Sequence, residues 1–273
     1  MTRQYMCSSY TISGLMPGRS RAARHPLPER IAACRAAGYD GLWMHYRDYL
    51  EQGAAGHDDA ALRALLDESR LKHRGIEFLT DWFLDLDLAR QAEAACFSAA
   101  NAIGASIISV GGDFGQRDIS QSEMIAQFKR LCARAADEGM SVALEFVPWS
   151  NIPDIGTATE YLEPGNAGLM VDCWHLFRGG MSVTDISQIP HGRILAIQIN
   201  DADKYAGAPL AEDTLDRRAC GDGVFDLAGF SRALDAAGAA VPYSVEIISP
   251  DFVQMSAADA ARISIEKART VFD

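Results

Sequence analysis

Eight short strand-like runs recur along this 273-residue chain, each followed by a helix-like stretch, and that alternation restricts the fold more than any other feature. The runs fall at 7–13, 41–46, 75–81, 105–111, 141–147, 167–172, 193–200 and 243–248. Helical stretches fall near 28–37, 59–72, 86–103, 120–138, 156–162, 183–189, 226–237 and 256–270. A strand that returns through a helix pairs in parallel with the next strand, and a count of eight predicts a closed (β/α)8 TIM barrel rather than an open doubly wound sheet. Runs such as Ile107-Ile108-Ser109-Val110 are too uniformly apolar for a sheet with one wet face, as parallel strands covered on both sides should be. Several boundaries have a mechanism. Ser120 and Glu123 have the spacing of a capping box, and Gly139 is placed to end the same helix in a left-handed cap. Gly38 and Gly104 repeat that device before the second and fourth strands, and Ser256 with Asp259 reads as the cap of the last helix. No long linker, composition shift or low-complexity tract interrupts the pattern, so residues 1–273 are expected to form a single domain. The longest irregular stretch, 201–225, reads as a functional βα loop. Loops 12–27, 46–58, 112–119, 148–156 and 201–225 would set specificity.

Four of the strand-like runs end in a side chain that can hold a metal. They are Ser-Val-Ala-Leu-Glu145, Gly-Leu-Met-Val-Asp172, Leu-Ala-Ile-Gln198 and Tyr-Ser-Val-Glu246. In a barrel of this kind functional groups sit at the C-terminal ends of the strands. Period-two alternation puts Ala143 with Glu145, Met170 with Asp172, Ala196 with Gln198 and Ser244 with Glu246 on the inward face. Three carboxylates crowded into a barrel mouth repel one another, and a divalent cation relieves that conflict. Carboxylate and amide oxygens suit a hard or borderline ion.

Composition narrows the partners. Hydrophobic residues at 48% and charged residues at 23% are ordinary for a soluble globular protein. No apolar run approaches the roughly 18–20 residues that span a bilayer, and the N-terminus lacks the apolar core of a signal peptide. A cytoplasmic protein without membrane contact is expected. The six cysteines are scattered and read as free thiols. A net charge of −12 repels a phosphate backbone, which argues against nucleic acid as a partner.

The runs Leu-Glu145-Phe, Val-Asp172-Cys-Trp-His175, Ile-Gln198-Ile-Asn-Asp201 and Val-Glu246-Ile resemble the xylose-isomerase-like TIM-barrel superfamily of sugar-phosphate isomerases and epimerases. The stretch Arg217-Arg-Ala-Cys-Gly221-Asp-Gly223 is similar to that family's Arg-x-Leu-Pro-Gly-Glu-Gly segment, with Cys220 in place of proline. The resemblance implies that Glu145, Asp172, Gln198 and Glu246 bind one divalent metal, with Mn²⁺ or Mg²⁺ ahead of Zn²⁺ or Co²⁺. It implies that Glu145 and Glu246 are the acid/base pair and that His175 contacts substrate or shuttles a proton. Many epimerases of the family carry histidine where this chain has Gln198. Glutamine there is similar to the hydroxypyruvate-isomerase and 3-dehydroshikimate-dehydratase branches. The resemblance therefore implies an isomerase or epimerase of a small, carbohydrate-like hydroxy-ketone, working through a metal-stabilised enediolate. The alternative is a dehydratase of a 3-oxo cyclitol, a dehydroshikimate-like acid or a 3-keto-glycoside. Arg217 is the candidate to bind a substrate carboxylate, phosphate or enolate oxygen. Its rival role is a surface salt bridge to Asp213 or Asp216. Trp149 and His45 are expected as pocket walls, and Asp201 as a residue that orients a ligand. Barrels of this family often form homo-oligomers, dimers or tetramers. Abasic-site endonucleases share the fold, but they need many histidines and a basic face.

Overall fold

The structure, a computed structural model, describes residues 3–19 and 22–273. Residues 20 and 21 of the 12–27 loop lie outside the described residues. Eight parallel strands close into one barrel in chain order: β1 (Tyr5–Cys7), β2 (Gly41–His45), β3 (His73–Leu79), β4 (Ile107–Gly111), β5 (Ser141–Glu145), β6 (Ala167–Asp172), β7 (Ile194–Ile199) and β8 (Tyr243–Val245). The closing pair is β1 with β8, through Met6 opposite Ser244. The expected (β/α)8 barrel is present. No helix among the described residues is long and apolar enough to cross a membrane.

The strands sort their side chains as the period-two pattern requires. Leu42, Met44, Val142, Leu144, Leu169, Val171, Ile197, Ile199 and Val245 point outward and join the large core shared with the helices. Met6, Trp43, Ala143, Met170 and Ala196 form a separate cluster inside the barrel. Trp43 takes up so much of that interior that a Cβ on Gly75 would sit 2.4 Å from its ring, so the neighbouring strand carries no side chain there. This packed plug closes the barrel below the site, and the space above it is where the inward-facing polar residues open.

Two sequence readings need correction. The first strand does not run over 7–13. It ends at Cys7, and Ser9–Ile12 is helical because the Ser8 side chain accepts from Tyr10 N and turns the chain. The Ser120–Glu123 box is half formed. Ser120 Oγ accepts from Glu123 N, while the Glu123 carboxylate accepts from Gln127 instead of turning back. The other caps stand, with Gly38, Gly104 and Gly139 left-handed and Ser256 accepting from Asp259 N. The alternation of eight strands and eight helices also omitted short helices directly after strand tips. Tyr46–Ala54 follows β2 and Cys173–Arg178 follows β6, each begun by the tip residue itself: His45 Nδ1 accepts from Arg47 N and Asp172 Oδ1 from Trp174 N.

Candidate active site

The C-terminal ends of the strands surround a cavity with about 640 Å³ of empty space, the open solvent at its mouth included. Glu145, Gln198, Glu246, His175, Arg217 and Trp149 all line it. Asp172 stands behind them, fully buried. Asp172 and Gln198 are paired neighbours on β6 and β7, and Glu246 follows β8 with its N–H donated to Ile199 O.

Contacts tie these tips into one cluster. His175 Nε2 lies 3.3 Å from Glu145 Oε1 and 3.6 Å from Asp172 Oδ2. One ligand atom from each of Glu145, Asp172 and His175 falls within 4.8 Å of the others, a spacing that a shared metal ion needs. Arg217 Nη1 donates to Asp172 Oδ2 and Glu246 Oε2, both at 2.8 Å. Gln198 Nε2 donates to Glu246 Oε1 at 2.8 Å, which leaves its amide oxygen buried and without a hydrogen-bond partner. Asn200 and the Trp174 N–H hold the second oxygen of Asp172 at 3.0 and 2.8 Å, so that carboxylate cannot rotate away. Trp149 packs edge-on against His175 with ring centroids 5.4 Å apart and walls that side.

Glu77 on β3 enters the same cavity, and the sequence reading did not single it out. Ser8 Oγ lies 3.1 Å from Glu77 Oε1 and 3.0 Å from Glu246 Oε1. A hydroxyl has one proton to give, so the second contact is a hydrogen bond only when a carboxyl carries a proton. Burial works in the same direction. It pushes Glu246 up to about 8 despite the Arg217 cation, with Asp172 and Glu145 adding repulsion. Burial and the neighbouring Glu246 push Glu77 well above the usual carboxyl range. The cavity thus gathers four carboxyl groups, with one guanidinium against them.

Arg217 is fully buried and makes no surface bridge; Asp213 pairs with Arg178 and Asp216 with Arg218. Desolvation opposes its charge, but the surrounding carboxylates outweigh that and hold it protonated. Thr214 Oγ1 takes two of its donors, at 3.3 and 2.9 Å. Asp201 lies away from the cavity wall. Its carboxylate accepts from the N–H groups of Ala202, Gly221 and Phe225, and its backbone bridges Arg218. It shapes the loop that carries Arg217. His45 lines a neighbouring cleft instead, with Tyr10 and Pro17 common to both spaces. Burial lowers the His45 imidazole to about 4, so it is neutral at physiological pH.

Glu77, Ser8 and Asn200 escaped the sequence reading for different reasons. Glu77 had a signal: it is the lone charge in Gly-Ile-Glu-Phe-Leu, on the same face as Gly75. That reading ran the strand on to Asp81, whose carboxylate instead meets Arg117 at 3.1 Å. Ser8 and Asn200 have no signal of their own, because a serine or asparagine beside a strand end is more often a turn residue.

A family profile described as xylose isomerase-like TIM barrel matches residues 31–271. A 3-dehydroshikimate dehydratase of Pseudomonas aeruginosa is 27% identical over 240 residues, which are 83% of this chain and 37% of that protein. The chain therefore spans little more than a third of that relative. An inosose isomerase of Halalkalibacterium halodurans is 24% identical over 254 residues, 86% of this chain and 88% of that protein. Among solved structures, the IOLI protein with a bound zinc atom shares the fold with a TM-score of 0.83, at 18% identity and over 98% of each chain.

Proposed function

This chain belongs to the xylose isomerase-like TIM-barrel family, and from that premise we propose that it is a divalent-metal-dependent isomerase or epimerase of a small, sugar-like hydroxy-ketone. One observation carries the reading: Glu145, Asp172 and Glu246 are buried together at strand ends beside the partnerless amide oxygen of Gln198. A buried acceptor without a donor is rare in a native protein, and a cation satisfies it. Those four residues would hold the ion, with His175 Nε2 within reach of Glu145 and Asp172. Oxygen donors favour Mn²⁺ or Mg²⁺ ahead of Zn²⁺ or Co²⁺.

When bound, the ion supplies a Lewis acid for the carbonyl and adjacent hydroxyl of the substrate. The protein's own groups move the proton. Glu145 on β5 and Glu246 beyond β8 stand on different sides of the cavity, one placed to take a proton from carbon and the other to return it. Burial raises the proton affinity of Glu246 into the range where a carboxyl can both accept and release at neutral pH. His175 Nε2 is placed to carry a proton to a substrate oxygen. Arg217 offers a fixed positive charge where negative charge develops on the substrate. Trp149, Phe78 and Phe114 wall the cavity and limit water.

A dehydratase is the second reading. It has two supports: Gln198, and the 27% identity to the dehydratase relative. The same proton abstraction leads to it when a leaving hydroxyl stands β to the carbonyl. The discriminating experiment incubates the Mn²⁺-loaded protein with 2-keto-sugars, inosose and 3-dehydroshikimate in D₂O. Deuterium uptake without loss of water supports the isomerase, and a rising enone absorbance supports the dehydratase. Glu246→Gln should abolish uptake, a loss of about 10²–10⁴-fold or more, while the circular dichroism spectrum stays that of the wild type. Full turnover in that variant ends its assignment as an acid/base residue.

A further inference from the structure

Phe78 on β3, Phe114 after β4 and Trp149 after β5 form one wall of the cavity. Their ring centroids stand 6.2 Å apart from Phe78 to Phe114 and 6.4 Å apart from Phe114 to Trp149. Each ring comes from a different strand or loop, so local geometry does not fix their spacing. The run Gly111-Gly112-Asp113 at the end of β4 supplies what is missing. A Cβ on Gly111 would sit 2.3 Å from the Phe78 ring and 3.0 Å from the Phe114 ring, so its absence lets both rings close over the strand tip. A Cβ on Gly112 would sit 2.6 Å from Asn151 Oδ1, so the bare backbone there admits the amide of the next loop.

Asp113 carries the ties. It is 1% exposed. Its N–H donates to Asn151 Oδ1 at 2.7 Å and its C=O accepts from Asn151 N at 3.2 Å, a reciprocal bridge between the 112–119 and 148–156 loops. Its carboxylate gathers its own loop, accepting from Gly115 N at 2.8 Å, from Arg117 N at 2.6 Å and from the Arg117 guanidinium. Arg117 also reaches Asp81, beyond the end of β3, at 3.1 Å. One polar seam thus runs behind the three rings, with Asp81 close in sequence to Phe78, Asp113 next to Phe114 and Asn151 near Trp149. A buried carboxylate with this many donors cannot turn without stranding them.

We propose that Asp113 is a positioning residue, which through Asn151 and Arg117 fixes the spacing of Phe78, Phe114 and Trp149 and so the shape of the apolar wall that a substrate ring meets. It touches no reacting atom. The kinetic part of this proposal rests on the hydroxy-ketone reading above. An apolar wall holds the ground state and the transition state alike, so displacing it raises KM and spares kcat. The test uses the full Mn²⁺-loaded chain. Asp113→Ala should raise KM for inosose in the deuterium-uptake assay about tenfold, with kcat within about threefold of the wild type. Gly112→Ala leaves the carboxylate in place and displaces Asn151; it should act in the same direction, and it keeps the proposal testable if the Asp113 variant does not fold. Glu93→Gln breaks a buried pair with Arg134 in the outer helical layer and should keep the wild-type KM, which controls for lost stability alone. A second readout needs no substrate. Trp43, Trp82 and Trp174 are at most 2% exposed, whereas Trp149 is half-buried, so acrylamide quenching of tryptophan fluorescence reports chiefly on Trp149. The quenching constant should rise in Asp113→Ala and Gly112→Ala, and should not rise in Glu93→Gln or when Asp113→Ala is added to Trp149→Phe. Unchanged KM or unchanged quenching in the two loop variants overturns the proposal, as does an equal change in Glu93→Gln. Absence of uptake from inosose by the wild type counts against the hydroxy-ketone reading, and the quenching series then decides the role of Asp113 alone.

Discussion

At the scale of single residues, the decisive arrangement is a permanent cation held among acids. Arg217 is buried between Asp172 and Glu246, so removing it strands two carboxylates in a low-dielectric site. Breaking a buried pair in this way costs about 3–5 kcal/mol. Arg217→Ala should lower the melting temperature of the chelator-treated protein accordingly, and Mn²⁺ should recover more of the loss than it adds to the wild type. A chelated variant as stable as the wild type would show that the ion pair is not coupled to the site. The pH dependence has a definite sign. Glu246 rises to about 8 in the folded protein, above its ordinary carboxyl value. Between about pH 5 and 8 the folded state keeps a proton that the unfolded chain has lost, so raising the pH costs stability across that window. Glu77, also raised by burial, acts in the same direction. Melting temperatures of the chelated protein should fall as pH climbs through this range, and the fall should shrink with Mn²⁺ present. A flat profile without metal would contradict the shift.

At the scale of elements, strand tips do double duty as helix caps, and this sorts the functional side chains. Asp172 ends β6 and begins Cys173–Arg178, which carries His175 back over the cavity three residues later. His45 does the same for Tyr46–Ala54, but its imidazole faces the adjoining cleft. Replacing it tests whether capping or substrate contact is its role. His45→Ala should cost about 1 kcal/mol of stability through the lost cap, His45→Asn should restore most of it, and both should keep near wild-type turnover. A tenfold rise in KM for both variants would return His45 to the substrate site. Asp201 likewise acts through an element, gathering three backbone N–H groups of the 201–225 loop whose other end places Arg217.

At the scale of the whole molecule, the barrel closes around charge that it does not itself neutralise. A cation bound only by the folded state adds stability by mass action, about 2.7 kcal/mol at a concentration 100 times its Kd. Mn²⁺ should therefore raise the melting temperature by several degrees and EDTA should reverse the rise, whereas no response to any divalent ion would remove the metal from the site. The fold was legible because eight alternations of strand and helix, with uniformly apolar strands, leave few other ways to bury both faces of a sheet. The inward direction of the Glu145, Asp172, Gln198 and Glu246 side chains was legible too, since period-two alternation orients a side chain without reference to its neighbours. What that alternation does not contain is which tips meet across the mouth, and where a loop returns. Closure of β1 against β8 brings Ser8 to both Glu77 and Glu246 across 69 and 238 residues of chain. The fold of 201–225 turns Arg217 inward where an equally plausible sequence reading had it at the surface. Local pattern determined the strands and the direction of their side chains; long-range packing alone decided which charges share one buried space, because that energy depends on distances the chain acquires only when the barrel shuts.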